Sequence, residues 1–325
     1  MNAILSSAPA LILIGAIAIP ILVFAVLGTG EKIIEQLRPR SARKVRPWFW
    51  LLLPLALITL ILIYPMIDTV VSAFRSSDGS AWVGLQNFAW AFAGSMLGVL
   101  GNNVIWLIVF PLGTLVLALI VAVLFDKVRY ERFAMTLVVL PTAISFTAGS
   151  IIWRQVYDYK AAGSQTGLLN ALWTLIPGNQ PVPWLQTEVV NTLCLIIVAV
   201  WSSLGVAALI LSAAVKNMPS ELVEAARLDG ANEWRIFFSV TLAHITPTLL
   251  VVATTEVIFA LKIFDIVYVM TNGNFNTDTI ANRMYFELFS ARDLGHASAI
   301  AVILLIVAIP VVVVNIRQFR AEEGH

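Results

Sequence analysis

Residues 103–125 read NVIWLIVFPLGTLVLALIVAVLF, a run with no charge and no alternation of apolar and polar side chains. A helix needs about 20 such residues to cross the hydrocarbon core of a bilayer, whereas a barrel strand needs about 10 and alternates. Working outward, six further stretches of the same character lie at Ala8–Leu27, Phe49–Ile67, Phe133–Ile152, Val189–Leu211, Pro247–Met270 and Leu294–Ile316. Of all seven, only Pro247–Met270 carries charges. Charged residues make up 12% of the 325 positions and hydrophobic ones 59%; soluble domains run at about 25% charged. The chain therefore reads as all-α, a polytopic transmembrane helical bundle of about seven spans in the cell (inner or plasma) membrane.

Orientation follows from Lys and Arg, which gather in cytoplasmic segments. With the N-terminus outside and the C-terminus inside, the inner segments 28–48, 126–132, 212–246 and 317–325 hold 14 basic residues and the outer segments hold 5. The basic stretch Lys32–Arg46 lies between two spans and is expected to hold a cytoplasmic loop against anionic lipid, not nucleic acid. Met1–Ala8 has no positive charge, so the first helix is expected to be retained and not cleaved as a secretory signal. The long outer segments Arg75–Asn102 and Trp153–Glu188 are expected to be lid-like. The single cysteine, Cys194, lies in an apolar run, and His244, His296 and His325 show no helical metal-site spacing, so no metal site is expected.

Between the fifth and sixth spans, Lys216–Val240 reads KNMPSELVEAARLDGANEWRIFFSV. Pro219 suits the first position of a helix, Glu221 and Glu224 its positive N-terminal end, and Gly230 the left-handed residue beyond its C-terminus. A short helix results, with Leu222, Ala225 and Ala226 at i, i+3 and i+4 forming a small apolar stripe. A second helix with Trp234, Phe237 and Phe238 leads into the sixth span.

Glu224-Ala225-Ala226, Asp229-Gly230-Ala231, Phe237 and Pro247 fall in the order and spacing of the EAA loop, and the chain resembles the permease subunits of bacterial ABC importers of type I, sugar-transport branch. Trp82-Val83-Gly84-Leu85-Gln86-Asn87-Phe88, Phe264-Asp265-Ile266-Val267-Tyr268 and Thr271-Asn272-Gly273 extend the resemblance over roughly residues 47–320. Residues 1–46, the extra helix and basic loop, lie outside it. One departure is Leu242-Ala243, where the family commonly has Leu-Pro. The resemblance implies a coupling loop at 216–247, whose helix docks in a groove on a cytoplasmic ATPase through Glu221, Glu224, Ala225, Ala226, Asp229, Gly230 and Ala231, with Glu224 and Gly230 holding its shape. It implies as partners a second permease, two copies of the nucleotide-binding subunit, an extracytoplasmic substrate-binding protein and a sugar. The chain has no G-x-x-x-x-G-K-[ST] loop to cradle phosphates, so it is read as a transport subunit without its own ATPase site. No cofactor is expected on this chain, with ATP and magnesium on the partners.

A charge inside a span costs about 2.5–3.5 kcal/mol on insertion scales, so it usually faces a cavity or a partner. Lys262 and Asp265 at i, i+3 are expected to neutralise each other. Glu256 shares a helical face with Phe259, Ala260 and Ile263, and a carboxylate beside an aromatic ring suits a sugar's hydroxyls and C–H face. In the maltodextrin branch of the family, one permease binds sugar midway through the membrane, and the resemblance carries its tryptophan to Trp201 and a phenylalanine to Phe259. Other positions of that site are changed here to Ser203, Val206 and Glu256. The closing Phe-Asp-Ile-Val-Tyr…Thr-Asn-Gly segment and the extra helix look most like α-glucoside importers. The competing reading is an ion-coupled secondary transporter using Glu256, Lys262 and Asp265.

Overall fold

In a computed structural model, the described residues are 17, 20–21, 23–125 and 128–322. The expected span Ala8–Leu27 lies largely outside them. The chain forms two compact units that divide between Asp68 and Thr69, inside helix α1 (Pro39–Ser72).

In the first unit the basic stretch expected as a loop is mostly helical, over residues 28–35 and again from Pro39. Pro39 stands at the first helical position, where its missing N–H costs nothing. Glu31 links the two arms by pairing with Arg46 and accepting a 2.9 Å hydrogen bond from Trp50 Nε1. α1 contains the expected span Phe49–Ile67 and a π turn at Thr59–Ile63.

The second unit consists of α2 (Gln86–Ala91), α3 (Met96–Phe125), α4 (Glu131–Val139), α5 (Phe146–Val156), α6 (Leu168–Trp173), α7 (Val190–Lys216), α8 (Ser220–Leu228), α9 (Glu233–Leu261), α10 (Asp265–Met270), α11 (Ile280–Phe286) and α12 (Leu294–Glu322). Among the described residues α1, α3, α7, α9 and α12 are long and apolar enough to span a membrane. A sixth span arises if the bent pair α4 and α5 is counted as one.

Two expected spans are corrected. Phe133–Ile152 is not straight: the chain turns by 101° between Ala143 and Phe146. Pro141 lies in the 3-10 turn Leu140–Ala143, and Ser145 Oγ accepts from Ala148 N–H at 3.2 Å to start α5 afresh. Pro247–Met270 is also interrupted, because α9 ends at Leu261 and α10 begins only at Asp265.

The core of this unit forms where α3 meets α7. On α3 the buried side chains Trp106, Phe110, Thr114, Ala118 and Ala122 recur every four residues. α7 answers with Ala199, Gly205, Ala207 and Ala208, small residues that let helix backbones approach in a medium where burial alone gives little drive. Gly205 lets α7 approach α4 as well, because a Cβ there would stand 2.7 Å from the Val138 carbonyl oxygen and from Val139 Cα.

Candidate functional site

α8 stands clear of the unit. None of its residues is buried, and Leu228 at its end is 90% exposed. Its shape comes from its own caps. Gly230 takes φ +80, Gly230 N–H bonds the Arg227 carbonyl at 3.0 Å, and Ala231 N–H bonds the Ala226 carbonyl at 3.0 Å. That pair of bonds is the Schellman arrangement, which satisfies carbonyls otherwise left open at a helix end. Asn232 then caps the next helix by accepting from Arg235 N–H at 2.9 Å, and Arg227 reaches Glu233 at 3.0 Å across the turn. Pro219 precedes the helix by one residue instead of opening it, while Glu221 sits in the first turn as expected. Leu222, Glu224 and Ala225 are exposed and Ala226 is half-buried. Glu224 makes no ion pair among the described residues. Trp234 and Phe238, stacked with ring centroids 6.2 Å apart, are also exposed and begin α9. α9 runs on unbroken through Ala243, the departure from the family's Leu-Pro, by way of a π turn at Phe237–Thr241.

Deeper in the unit, Trp201 of α7 meets Trp153 of α5 edge-on at 5.7 Å, and Phe259 of α9 lies 5.3 Å from Phe110 and 4.7 Å from Phe146. The two aromatic residues expected at the sugar path thus join a larger aromatic group drawn from α3, α5, α7 and α9. Ser203 is half-buried and Glu256 is 7% exposed, whereas Ala260 and Ile263 are packed into the core with Trp106, Phe110 and Tyr157. Phe110 packs on Phe259 and Ala118 clusters with Val252, so Thr114 stands at the level of Glu256. Thr114 Oγ1 and Trp106 Nε1 are buried without a hydrogen-bond partner among the described residues. Phe110, Phe146, Trp153, Thr114 and Trp106 escape the sequence reading, because an aromatic or a lone threonine in an apolar run carries no mark of which way it faces. Lys262 and Asp265 do not neutralise each other. The helix stops at Lys262, which is exposed, and Asp265 opens α10, its Oδ1 3.5 Å from Thr147 Oγ1.

Beyond α9 the Thr-Asn-Gly segment is bound into the unit. Asn102 Nδ2 donates to the carbonyls of Asn276 at 2.8 Å and Asp278 at 2.9 Å, Asn103 Oδ1 accepts from Ile280 N–H at 2.7 Å, and Asn191 Nδ2 donates to the Phe275 carbonyl at 2.7 Å. Thr279 Oγ1 donates to the Ile263 carbonyl at 3.0 Å, and Thr271 and Thr277 share a buried 2.7 Å bond. Beside this segment opens a cavity of about 340 Å³ lined by Arg154, Tyr157, Asp158, Gln186, Tyr268, Asn272 and Phe275, a mixture of rings and hydrogen-bonding groups. The expected lid segments carry the short helices α2 and α6; Asn87, in the Trp82–Phe88 stretch, is buried and donates to the carbonyls of Ala73 and Arg75.

A bundle of apolar helices around a small-residue seam, with one exposed capped helix between two spans, defines a membrane-embedded transport subunit. Residues 114–320 match the family described as binding-protein-dependent transport system inner membrane component, and the chain belongs to that family. It is 48% identical over 264 residues to the osmoprotective compounds uptake permease protein GgtC of Synechocystis sp., covering 81% of this chain and 94% of the relative. It is 40% identical over 288 residues to the alpha-glucoside transport system permease protein AglF of Rhizobium meliloti, covering 88% and 85%. Its fold matches a solved bacterial ABC transporter involved in the import of the acidic polysaccharide alginate, with a TM-score of 0.73 at 21% identity over 86% of this chain and 98% of the other. The chain is thus an integral inner-membrane transport component.

Proposed function

We propose that this chain is one of two permease subunits of an ATP-driven importer of a sugar. The alpha-glucoside relative supports that solute class, as does the aromatic group around Trp201 and Phe259, with the buried Glu256 three residues before Phe259 on α9. In this reading a binding protein delivers solute on the side of the 340 Å³ cavity, and two ATPase subunits close on the opposite side, where the N-terminus-out orientation puts α8 in the cytoplasm. Energy comes from those subunits, with ATP and magnesium bound there.

The observation that carries the proposal is α8 itself. A helix with no buried residue, closed at its C-terminus by its own turn, gains nothing for the fold of this chain by standing out. Its small residues Ala225 and Ala226 leave room for close approach to a partner groove. Glu224→Lys or Ala225→Trp should abolish uptake and ATPase co-purification while the permease still reaches the membrane in normal amount. Normal uptake by both variants, or accumulation by this chain alone in liposomes without ATP, overturns the coupling role. For the path, Glu256→Gln should lower uptake with assembly retained, and unchanged transport kinetics would remove Glu256 from it.

A further inference from the structure

Away from both regions, three potential ligands converge where the chain enters α12. His296 Nδ1 lies 3.2 Å from Asp293 Oδ2 and 3.7 Å from Glu287 Oε2. Each side chain is held by its other atom. Glu287 Oε1 faces Arg283 Nε at 2.9 Å, Asp293 Oδ1 accepts the His296 N–H at 2.8 Å, and the imidazole is stacked on Trp90 at 3.7 Å and 3°. The three remaining ligand atoms lie within 4.8 Å of one another, and contacts such as these orient the side chains as outer-sphere partners orient metal ligands. Glu287 is only 4% exposed, and its Oε2 faces His296 Nδ1 at 3.7 Å. A carboxylate in so buried a residue favours positive charge beside it.

Charge points the same way. Asp278 and Glu287 share one guanidinium, Arg283, which is 3.9 Å from Asp278 Oδ2 and 2.9 Å from Glu287 Oε1, and Asp293 adds a third carboxylate beside His296. The cluster stays net negative even with His296 protonated. Geometry narrows the cation: ligands about 2.1 Å from a tetrahedral zinc stand about 3.4 Å apart, and the two distances at Nδ1, 3.2 and 3.7 Å, bracket that value. Imidazole with two carboxylates suits zinc and its neighbours better than magnesium or calcium.

We propose that Glu287, Asp293 and His296 bind a divalent transition-metal cation of the zinc type, which ties the π turn Glu287–Ala291 to the first turn of α12. The left-handed Arg292, φ +56, makes the sharp connection between them. A search for histidines at helical spacing misses this set, because the two carboxylates supply most of it.

The test uses the full-length protein in detergent with Co2+ as the spectroscopic probe and Zn2+ as competitor. The expected result is Co2+ binding at one site per chain with the absorption of nitrogen and oxygen ligands, displacement by Zn2+, and a rise in Tm with either ion. Asp293→Asn keeps an oxygen to cap the His296 N–H but loses the charged ligand, so it should weaken Co2+ at least about tenfold at an unchanged metal-free Tm. His296→Ala should remove the spectrum. Equal Co2+ affinity in Asp293→Asn and the parent, or a Tm that responds to pH but not to Zn2+, overturns the proposal, and Asp293→Asn decides it even if His296→Ala does not fold.

Discussion

The two ends of α9 are built in opposite ways. Its 29 residues separate them by about 43 Å at 1.5 Å per residue. At the Glu233 end, α8 and its turn are held by neighbours within a few positions: Gly230 to Arg227, Ala231 to Ala226, Asn232 to Arg235. At the Leu261 end, the segment after Lys262 is held by Asn102, Asn103 and Asn191, side chains from spans far away in sequence. A locally capped element can project from the fold and keep its shape. An element with three non-glycine residues at positive φ, Asn272, Phe275 and Asn276, keeps its shape with the help of bonds that the spans around it supply. The first arrangement fits a part that meets a partner, and the second fits a part that stays with its own chain.

The largest effect that would break this comparison lies at Asn102. Asn102→Ala leaves the Asn276 and Asp278 carbonyls without their partner, and unpaired buried groups of this kind cost about 1–3 kcal/mol each. Thermal unfolding in detergent should therefore show a clear drop in Tm, whereas Ala225→Trp, on the exposed face of α8, should leave Tm unchanged. A Tm lowered more by Ala225→Trp than by Asn102→Ala would mean that α8 is part of the fold and not a projection from it.

Gly230→Ala comes next. A β-carbon at φ +80 costs about 1–2 kcal/mol, and here the cost should be local: faster hydrogen exchange at the amides of Gly230 and Ala231, with little change in global Tm. Gly230→Asn should recover part of the protection, since asparagine tolerates the left-handed region. Arg227→Ala should do less still. Its pair with Glu233 has both side chains more than half exposed, and such pairs contribute at most about 1 kcal/mol.

The same contrast explains what was legible in the sequence. The α8 turn could be read residue by residue, because Glu221, Gly230 and the stripe of Leu222, Ala225 and Ala226 act on positions within one turn of themselves. The spans could be read because length and lack of charge are properties of a segment alone. The break after Leu261 could not, since nothing in Phe259-Ala260-Leu261-Lys262-Ile263 forbids a helix; it is Thr279 binding the Ile263 carbonyl that makes stopping there worthwhile. The 101° turn in the fourth span was half legible, as Pro141 gives a reason to bend but no angle. The sugar path was legible at Trp201 and Phe259 by resemblance, and not at Phe110, Phe146 or Trp153, which only packing brings to them.

The smallest effect sharpens the comparison on the side of the pinned segment, and it rests on two aspartates outside the spans. Burial holds the Asp278 carboxyl above its ordinary range, against the lowering effects of the Asn282 hydrogen bond and Arg283. Asp78 is held down at about 2 by hydrogen bonds from Ser76 and Ser80 in an exposed turn. A carboxyl raised by folding binds its proton more tightly in the folded chain, so its contribution to stability is present below the unfolded value and declines as pH rises through the folded one. A lowered carboxyl does the reverse: its contribution is present above the unfolded value of 3.8 and is lost as pH falls toward 2. Above about pH 4, then, Asp278→Asn should flatten a fall in Tm with rising pH, because asparagine keeps an oxygen for Thr279 N–H and Asn282 but carries no charge. Asp78→Asn should leave that region of the profile unchanged and alter only its acid limb. If both variants shift the same limb, Asp278 is not set apart by its burial, and the pinned segment is as open to solvent as the turn that holds Asp78.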